Sequence, residues 1–169
     1  NSFGAAGTIL DIGSGILSVA NAGAVGASGT IRISTNSTTQ GLRVTETMTL
    51  TKSLMLNNTN SAVDVTGGKT LTLSSPILPS GTAFALSKND SGTLILSADN
   101  SAWTGGFNVN AGVLAVGSAA AIGTGTINIS PAAAAFGAAV QLSGDITLPN
   151  AISLQGNNHV LFGGINFGG

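Results

Sequence analysis

Residues that could carry out acid–base or nucleophilic chemistry are few in this chain. Its 169 residues include six Asp and Glu, five Lys and Arg, one His and no Cys. A Ser-His-Asp triad would have to use His159, which follows two Asn residues and precedes a short apolar run. That setting favours a turn or wall residue, so we predict no catalytic residue here.

Paired carboxylates are the usual machinery for cutting polysaccharides, and they must converge on one face. The six acids are widely spaced: Asp11, Glu46, Asp64, Asp90, Asp99 and Asp145. Asp90 and Asp99 are close in sequence, but both lie in turn contexts where Asp is expected for backbone reasons. A carbohydrate-active enzyme is therefore the least favoured interpretation.

Metal and cofactor sites find little support. The absence of Cys excludes thiolate sites. Residues 163–169 have the glycines of a calcium-binding nonapeptide coil but lack its Asp, so structural turns explain them better. We predict neither a metal nor a cofactor.

The low charge excludes further classes of protein. Charged residues make up 7% of the chain, against about 25% in an ordinary soluble domain. The basic residues occur singly and cannot form the stripe that nucleic acid requires: Arg32, Arg43, Lys52, Lys69 and Lys88. No apolar run approaches the roughly 18 residues of a membrane span. We therefore expect no nucleic-acid partner and no membrane span.

The elements that must position these residues are strands. Apolar and polar residues alternate over three to six positions, with the period of a half-buried strand, in at least sixteen segments. Two of these segments are 83–86 and 146–148. Gly, Asn, Asp and Ser steps between the segments predict tight turns. One helical turn is predicted at 130–135, where Ser130 can cap it and Pro131 can occupy its first position.

The chain also resembles itself at an offset of about 97 residues. Gly15 and the apolar residues after it match the segment from Gly112, and the spacing of apolar residues and glycines continues beyond them. We interpret residues 1–169 as a single solenoid, with a first copy at 1–99 and an incomplete second copy at 100–169.

Many short strands with irregular turns favour a stacked coil over a sandwich or a barrel. In a coil of three short strands each rung takes roughly 20 to 25 residues, at the usual strand spacing. The prediction is an all-β, parallel β-helix (β-solenoid) of about 7–8 rungs. Low charge suits this fold, because equal charges stacked from rung to rung repel while Thr, Ser and Asn can hydrogen-bond along the stack.

Residues 91–114, SGTLILSADNSAWTGGFNVNAGVL, closely resemble the autotransporter passenger-associated β-strand repeat. Ala98 stands where that family often has Gly, and residues 1–17 resemble a degenerate copy. The resemblance implies a right-handed β-helix in the exported, surface-displayed part of a large bacterial protein. The family motif places these residues at turns: Asn100, Trp103, Gly105, Gly106 and Gly112.

One segment differs between the two copies in a way that predicts a contact surface. The polar loop 35–40 of the first copy is replaced in the second by an apolar run: Ala132, Ala133, Ala134, Ala135 and Phe136. Exposed apolar clusters often mark contacts with a partner. For Trp103, a packed turn residue is favoured over a carbohydrate-stacking one.

These observations predict a non-enzymatic structural protein, extracellular or at the bacterial surface. Neither end resembles a polar cap, and open strand edges template further pairing, so we expect self-association end to end into filaments. The alternative is an adhesin that recognises surface glycans.

Overall fold

The structure is a computed structural model that describes residues 7–131, 137–155 and 159–162. The described chain forms three parallel sheets, which it visits in turn, so that one passage through them makes a coil. The strands, numbered in chain order, are β1 (Ile9–Ile12), β2 (Ile16–Val19), β3 (Thr30–Ile33), β4 (Gly41–Val44), β5 (Met48–Leu50), β6 (Ser53–Leu56), β7 (Ala62–Val65), β8 (Thr70–Leu73), β9 (Ile77–Leu78), β10 (Leu86–Asn89), β11 (Thr93–Leu96), β12 (Phe107–Val109), β13 (Gly112–Val116), β14 (Ile127–Ile129), β15 (Ala138–Leu142), β16 (Ile152–Leu154) and β17 (His159–Phe162).

Each sheet takes one strand from successive coils. The first sheet has the order β1-β3-β6-β9, the middle sheet β16-β14-β12-β10-β7-β4-β2, and the third sheet β17-β15-β13-β11-β8-β5. Every described pairing between these strands is parallel. The predicted parallel β-solenoid is therefore confirmed.

The length of a coil can be measured from strand partners. In the middle sheet Phe107 pairs with Ile127, 20 residues later, and Ile16 pairs with Gly41, 25 residues later. These values confirm the expected 20 to 25 residues per rung. The seven strands of this sheet are separated by six steps, or about six turns, slightly fewer than the 7–8 rungs predicted. Right-handedness stays a prediction.

The core is one apolar column that runs through the coils. Inward residues from all three sheets join a single buried cluster, and alternation along each strand selects them: in β8, Leu71 and Leu73 are buried while Thr70 and Thr72 are half-buried. Each fully buried Leu or Ile contributes about 1.5–3 kcal/mol through the hydrophobic effect. Burial of one face of every strand therefore sets the register of the stack.

Two short 3₁₀ helices, which the sequence pattern did not predict, replace strands at Ala22–Val25 and Ala119–Ile122. The Asn21 side chain accepts a hydrogen bond from the N–H of Gly23 at 2.7 Å and so starts the first of them. That helix packs against β5, where a further strand of the third sheet would otherwise pair. No helix in the described part of the chain is long and apolar enough to cross a bilayer.

Two predicted strands are wrong in detail. The strand expected at 83–86 lies instead at Leu86–Asn89, because Leu86 pairs with Phe107 and Lys88 turns into the interior. Residues 146–148 form no strand, although Leu148 packs partly on the core. The pattern also missed β9, which has only two residues. Most of the predicted helical turn, residues 132–135, lies outside the described residues.

The 97-residue offset relates strands on different faces. It aligns β2 of the middle sheet with β13 of the third sheet, and it aligns the two 3₁₀ helices with each other. One such offset is therefore not a whole number of coils. The repeat and its boundaries stay predictions.

Candidate functional site

Asn100 takes the place of a strand next to the first sheet. Its side chain is buried, its Oδ1 accepts the backbone N–H of Ile77 at 2.7 Å, and its Nδ2 donates to the carbonyl of Ala121 at 2.6 Å. Ile77 belongs to the preceding coil and Ala121 to the following one. One amide thus joins three coils where the first sheet stops at β9, and it satisfies backbone groups that would otherwise be buried without partners.

Trp103 is a packed turn residue. Its side chain is 2% exposed, and its ring meets Phe107 edge to face, with centroids 5.0 Å apart and an interplanar angle of 80°. Such a pair adds about 0.5–1.5 kcal/mol beyond burial. A buried indole offers no ring face to a sugar, so carbohydrate stacking on Trp103 does not fit the structure.

The motif glycines lie where neighbouring coils approach most closely. A Cβ at Gly105 would collide with the carbonyl oxygen of Phe84, and one at Gly106 with that of Thr126. Gly112 has φ +70°, in the left-handed region that favours glycine, and a Cβ there would collide with the backbone of Gly92. All three positions therefore require glycine for reasons of packing.

Lys88 is buried at the corner between β10 and β11. Its Nζ donates to the carbonyl oxygens of Asn89 and Asp90, both at 2.7 Å, and of Ala111 at 3.0 Å in the next coil. Burial lowers the pKa of the Lys88 ammonium to about 8, although the charges of Asp90 and Asp64 act in the opposite direction. Three acceptors match the three N–H donors of an ammonium group, so this cation holds a corner together.

The other basic side chains also reach across coils. Arg32 pairs with Asp11 at 2.6 Å, and their hydrogen bond lowers the pKa of the Asp11 carboxyl. Lys69 pairs with Glu46 at 2.6 Å.

The remaining two basic residues follow the same rule. Arg43 pairs with Asp64 at 3.0 Å, and the buried Lys52 donates to the carbonyl of Ser28. All five basic residues of the chain therefore join one coil to another. Exposed ion pairs contribute only about 0–1 kcal/mol each, so these contacts position coils more than they stabilise them.

Asp90 and Asp99 each bind the turn that follows them. Asp90, at φ +60°, accepts the N–H of Ser91 at 2.7 Å, and Asp99 accepts the N–H of Ser101 at 2.8 Å. The Ser101 hydrogen bonds lower the pKa of Asp99. These carboxylates therefore act as turn caps.

A polar ladder that the sequence pattern did not reveal runs along the outer face of the middle sheet. Arg43 donates to Asp64 Oδ2 at 3.0 Å, Asn89 Nδ2 donates to Asp64 Oδ1 at 3.0 Å, and Asn110 Nδ2 donates to Asn89 Oδ1 at 2.9 Å. A second rung pair stands beside it, with Asn128 Nδ2 donating to Asn108 Oδ1 at 3.0 Å. Only parallel register could bring these residues together, because they are about 20 or more positions apart.

Loop 35–40 covers one end of this face. Asn89 Nδ2 donates to the carbonyl of Thr38 at 2.7 Å, a contact that spans 51 residues of sequence. Beneath the loop, the outward-facing Ala62 and Ser87 are each 1% exposed. The open part of the face therefore begins after Asn89.

The predicted contact surface at 132–136 lies outside the described residues. His159 begins β17, where its backbone pairs with Ala138. Over the described ranges, no three His, Cys, Asp or Glu side chains converge to hold a metal ion.

Comparison with known proteins agrees with the geometry of the motif. Residues 86–116 match the passenger-associated-transport-repeat. The chain is 36% identical over 124 residues to the Adhesin BmaC autotransporter of Brucella suis biovar 1 (strain 1330), an alignment that covers 73% of this chain and 3% of that adhesin. No solved structure is significantly similar to the chain. On this motif, this relative and the stacked parallel coils, the chain belongs to the autotransporter passenger repeat family.

Proposed function

We propose that this chain is a non-enzymatic length of solenoid shaft in a passenger that is secreted or displayed at a bacterial surface. The observation that carries the proposal is the use of every Lys and Arg in a contact between coils. An enzyme needs charged groups aimed at a substrate, whereas here they hold the stack together. The match to an autotransporter adhesin supports the surface location.

The shaft can also extend by stacking on further coils. Leu154 pairs with the fully buried Ile129 on an inward column, yet it is 49% exposed because no described coil lies beyond it. At the opposite end Ile9 and Ile16 are 52% and 43% exposed. Apolar ends with open strand edges favour end-to-end association of copies.

Small-angle scattering and electron microscopy of the purified chain test both statements. We expect rod-shaped particles whose length grows with concentration. Leu154→Asp should keep particles at single-rod length, while Ser153→Asp, one residue earlier on the outward column, should leave growth unchanged. Single rods at every concentration would overturn stacking alone. A compact globular particle, or turnover of a polyuronate, would overturn the shaft.

Adhesion is the second candidate function. It is favoured by one finding, the similarity to a protein named an adhesin. Binding of the labelled chain to immobilised surface glycans, compared with a coil of unrelated sequence, tests it directly.

A further inference from the structure

We propose that the open part of the outer face of the middle sheet binds a neutral polysaccharide chain that lies along the solenoid axis. This surface, here called the amide face, consists of Asn108, Asn110, Asn128 and Ser153. The proposal deepens the adhesive candidate and is independent of end-to-end stacking.

The amide face is built from successive coils in register. Asn108 pairs with Asn128, and Asn128 pairs with Ser153, so the three residues form one outward column. Asn110 stands beside them as the last member of the polar ladder. All four side chains are half-buried, which leaves part of each polar group in contact with solvent.

The amides are fixed before any ligand arrives. Asn128 Nδ2 donates to Asn108 Oδ1 at 3.0 Å, and Asn110 Nδ2 donates to Asn89 Oδ1 at 2.9 Å. Within the described residues, Asn108 Nδ2, Asn128 Oδ1 and Asn110 Oδ1 make no hydrogen bond of their own. The face therefore presents both donors and acceptors in held positions, and a ligand need not order the side chains it binds.

The chemistry of the face selects a neutral polyhydroxyl ligand. Its four residues carry no charge, and the nearest charged members of the ladder, Arg43 and Asp64, already neutralise each other. A polyanion would find no counter-charge here, and a protein partner would find none of the aromatic anchors that usually centre an interface. Hydroxyl groups, by contrast, both donate to and accept from amides.

The spacing of the face also suits a polymer. Neighbouring strands lie about 4.8 Å apart, close to the advance of one pyranose ring along an extended β-linked chain. One coil can therefore meet one sugar unit. Loop 35–40, held by the Thr38 contact with Asn89, closes one end of the face, so the polymer would extend from Asn89 towards Ser153.

Calorimetry with named oligosaccharides tests the proposal. The probes are cellohexaose, mannohexaose and N-acetylchitohexaose, with hexagalacturonate as the charged counterpart. We expect at least one neutral probe to bind and the charged probe to bind at least tenfold more weakly. The double variant Asn108→Ala/Asn128→Ala should weaken binding at least tenfold, while Asn36→Ala, an exposed amide in loop 35–40, should not change it.

Three outcomes would overturn the proposal: no binding of any neutral probe, binding that the double variant leaves unchanged, or a preference for the charged probe. Lateral dimers that the double variant abolishes would overturn it too, and would identify a second copy as the occupant of the face. Far-ultraviolet circular dichroism of each variant confirms that the fold is kept. The shaft proposal rests on particle shape and would survive any of these results.

Discussion

The side-chain oxygen of Asn100 accepts the backbone N–H of Ile77 from the preceding coil at 2.7 Å. The first sheet has no strand beyond Ile77 and Leu78, and this amide continues its hydrogen bonding towards Ala121 in the following coil. An asparagine can do so because its side chain carries one acceptor and two donors, like a short piece of backbone. The most characteristic residue of the motif is thus a structural bridge between coils.

Replacement of Asn100 should therefore be costly. Asn100→Ala leaves the Ile77 N–H and the Ala121 carbonyl buried without partners, and each such group costs about 1–3 kcal/mol. We expect the free energy of unfolding to fall by about 2–4 kcal/mol in urea titrations. Asn36→Ala removes only an exposed amide hydrogen bond with Asn60 and should change it by less than about 0.5 kcal/mol. Equal effects of the two variants would contradict the bridging role.

Close approach of coils makes Gly106 irreplaceable. Gly106→Ala would drive a methyl group into the Thr126 carbonyl, whereas a Cβ at Gly117 has nothing within 4 Å. Overpacking of this kind costs about 1–3 kcal/mol or more. Thermal unfolding should show a large loss of stability, or no folded protein, for Gly106→Ala and little change for Gly117→Ala. A stable Gly106→Ala protein would mean that the two coils can move apart.

Lys88 should make stability depend on pH in the alkaline range. Because burial lowers its pKa to about 8 from the ordinary 10.5, the unfolded chain holds a proton between these values that the folded chain has lost. Stability therefore rises with pH across this window, by up to about 1.4 kcal/mol per unit. Below pH 8 both states are protonated and the contribution is constant.

Comparison with Lys88→Met isolates this effect, because the lowered pKa of Lys52 contributes in the same direction in both proteins. The unfolding free energy of the parent minus that of the variant should grow by about 2 kcal/mol between pH 7.5 and pH 10. A difference that stays constant over this range would show that the folded state leaves the pKa of Lys88 at its ordinary value.

The contact between Asn89 and Thr38 should hold loop 35–40 in place. In Asn89→Ala the loop loses its only described link to the fourth coil, so amide hydrogen exchange at 37–40 should accelerate about tenfold, or by about 1.4 kcal/mol of opening free energy. Asn128→Ala, which removes an amide on the same outer face that does not reach the loop, should leave this exchange unchanged. Unaltered exchange in Asn89→Ala would show that the loop is held by its own turn contacts.

Local patterns predicted most strands because burial of one face leaves a period of two in the sequence. The prediction failed at 83–86 for a physical reason: Lys88 occupies an inward position, and a buried cation that three carbonyls satisfy looks like a solvent residue in a pattern. The 3₁₀ helix at Ala119–Ile122 escaped notice because a short Ala run has no period of its own.

The sequence by itself determined the class of fold, the length of a coil and the family, because alternation, turn residues and the motif at 91–114 are all local signals. The tertiary structure decided which distant residues meet. Arg43, Asp64, Asn89 and Asn110 form one ladder only because parallel strands from four successive coils stack in register. Their sequence separation follows the length of intervening turns, which vary from coil to coil, so no fixed spacing announces the ladder or the amide face that continues it.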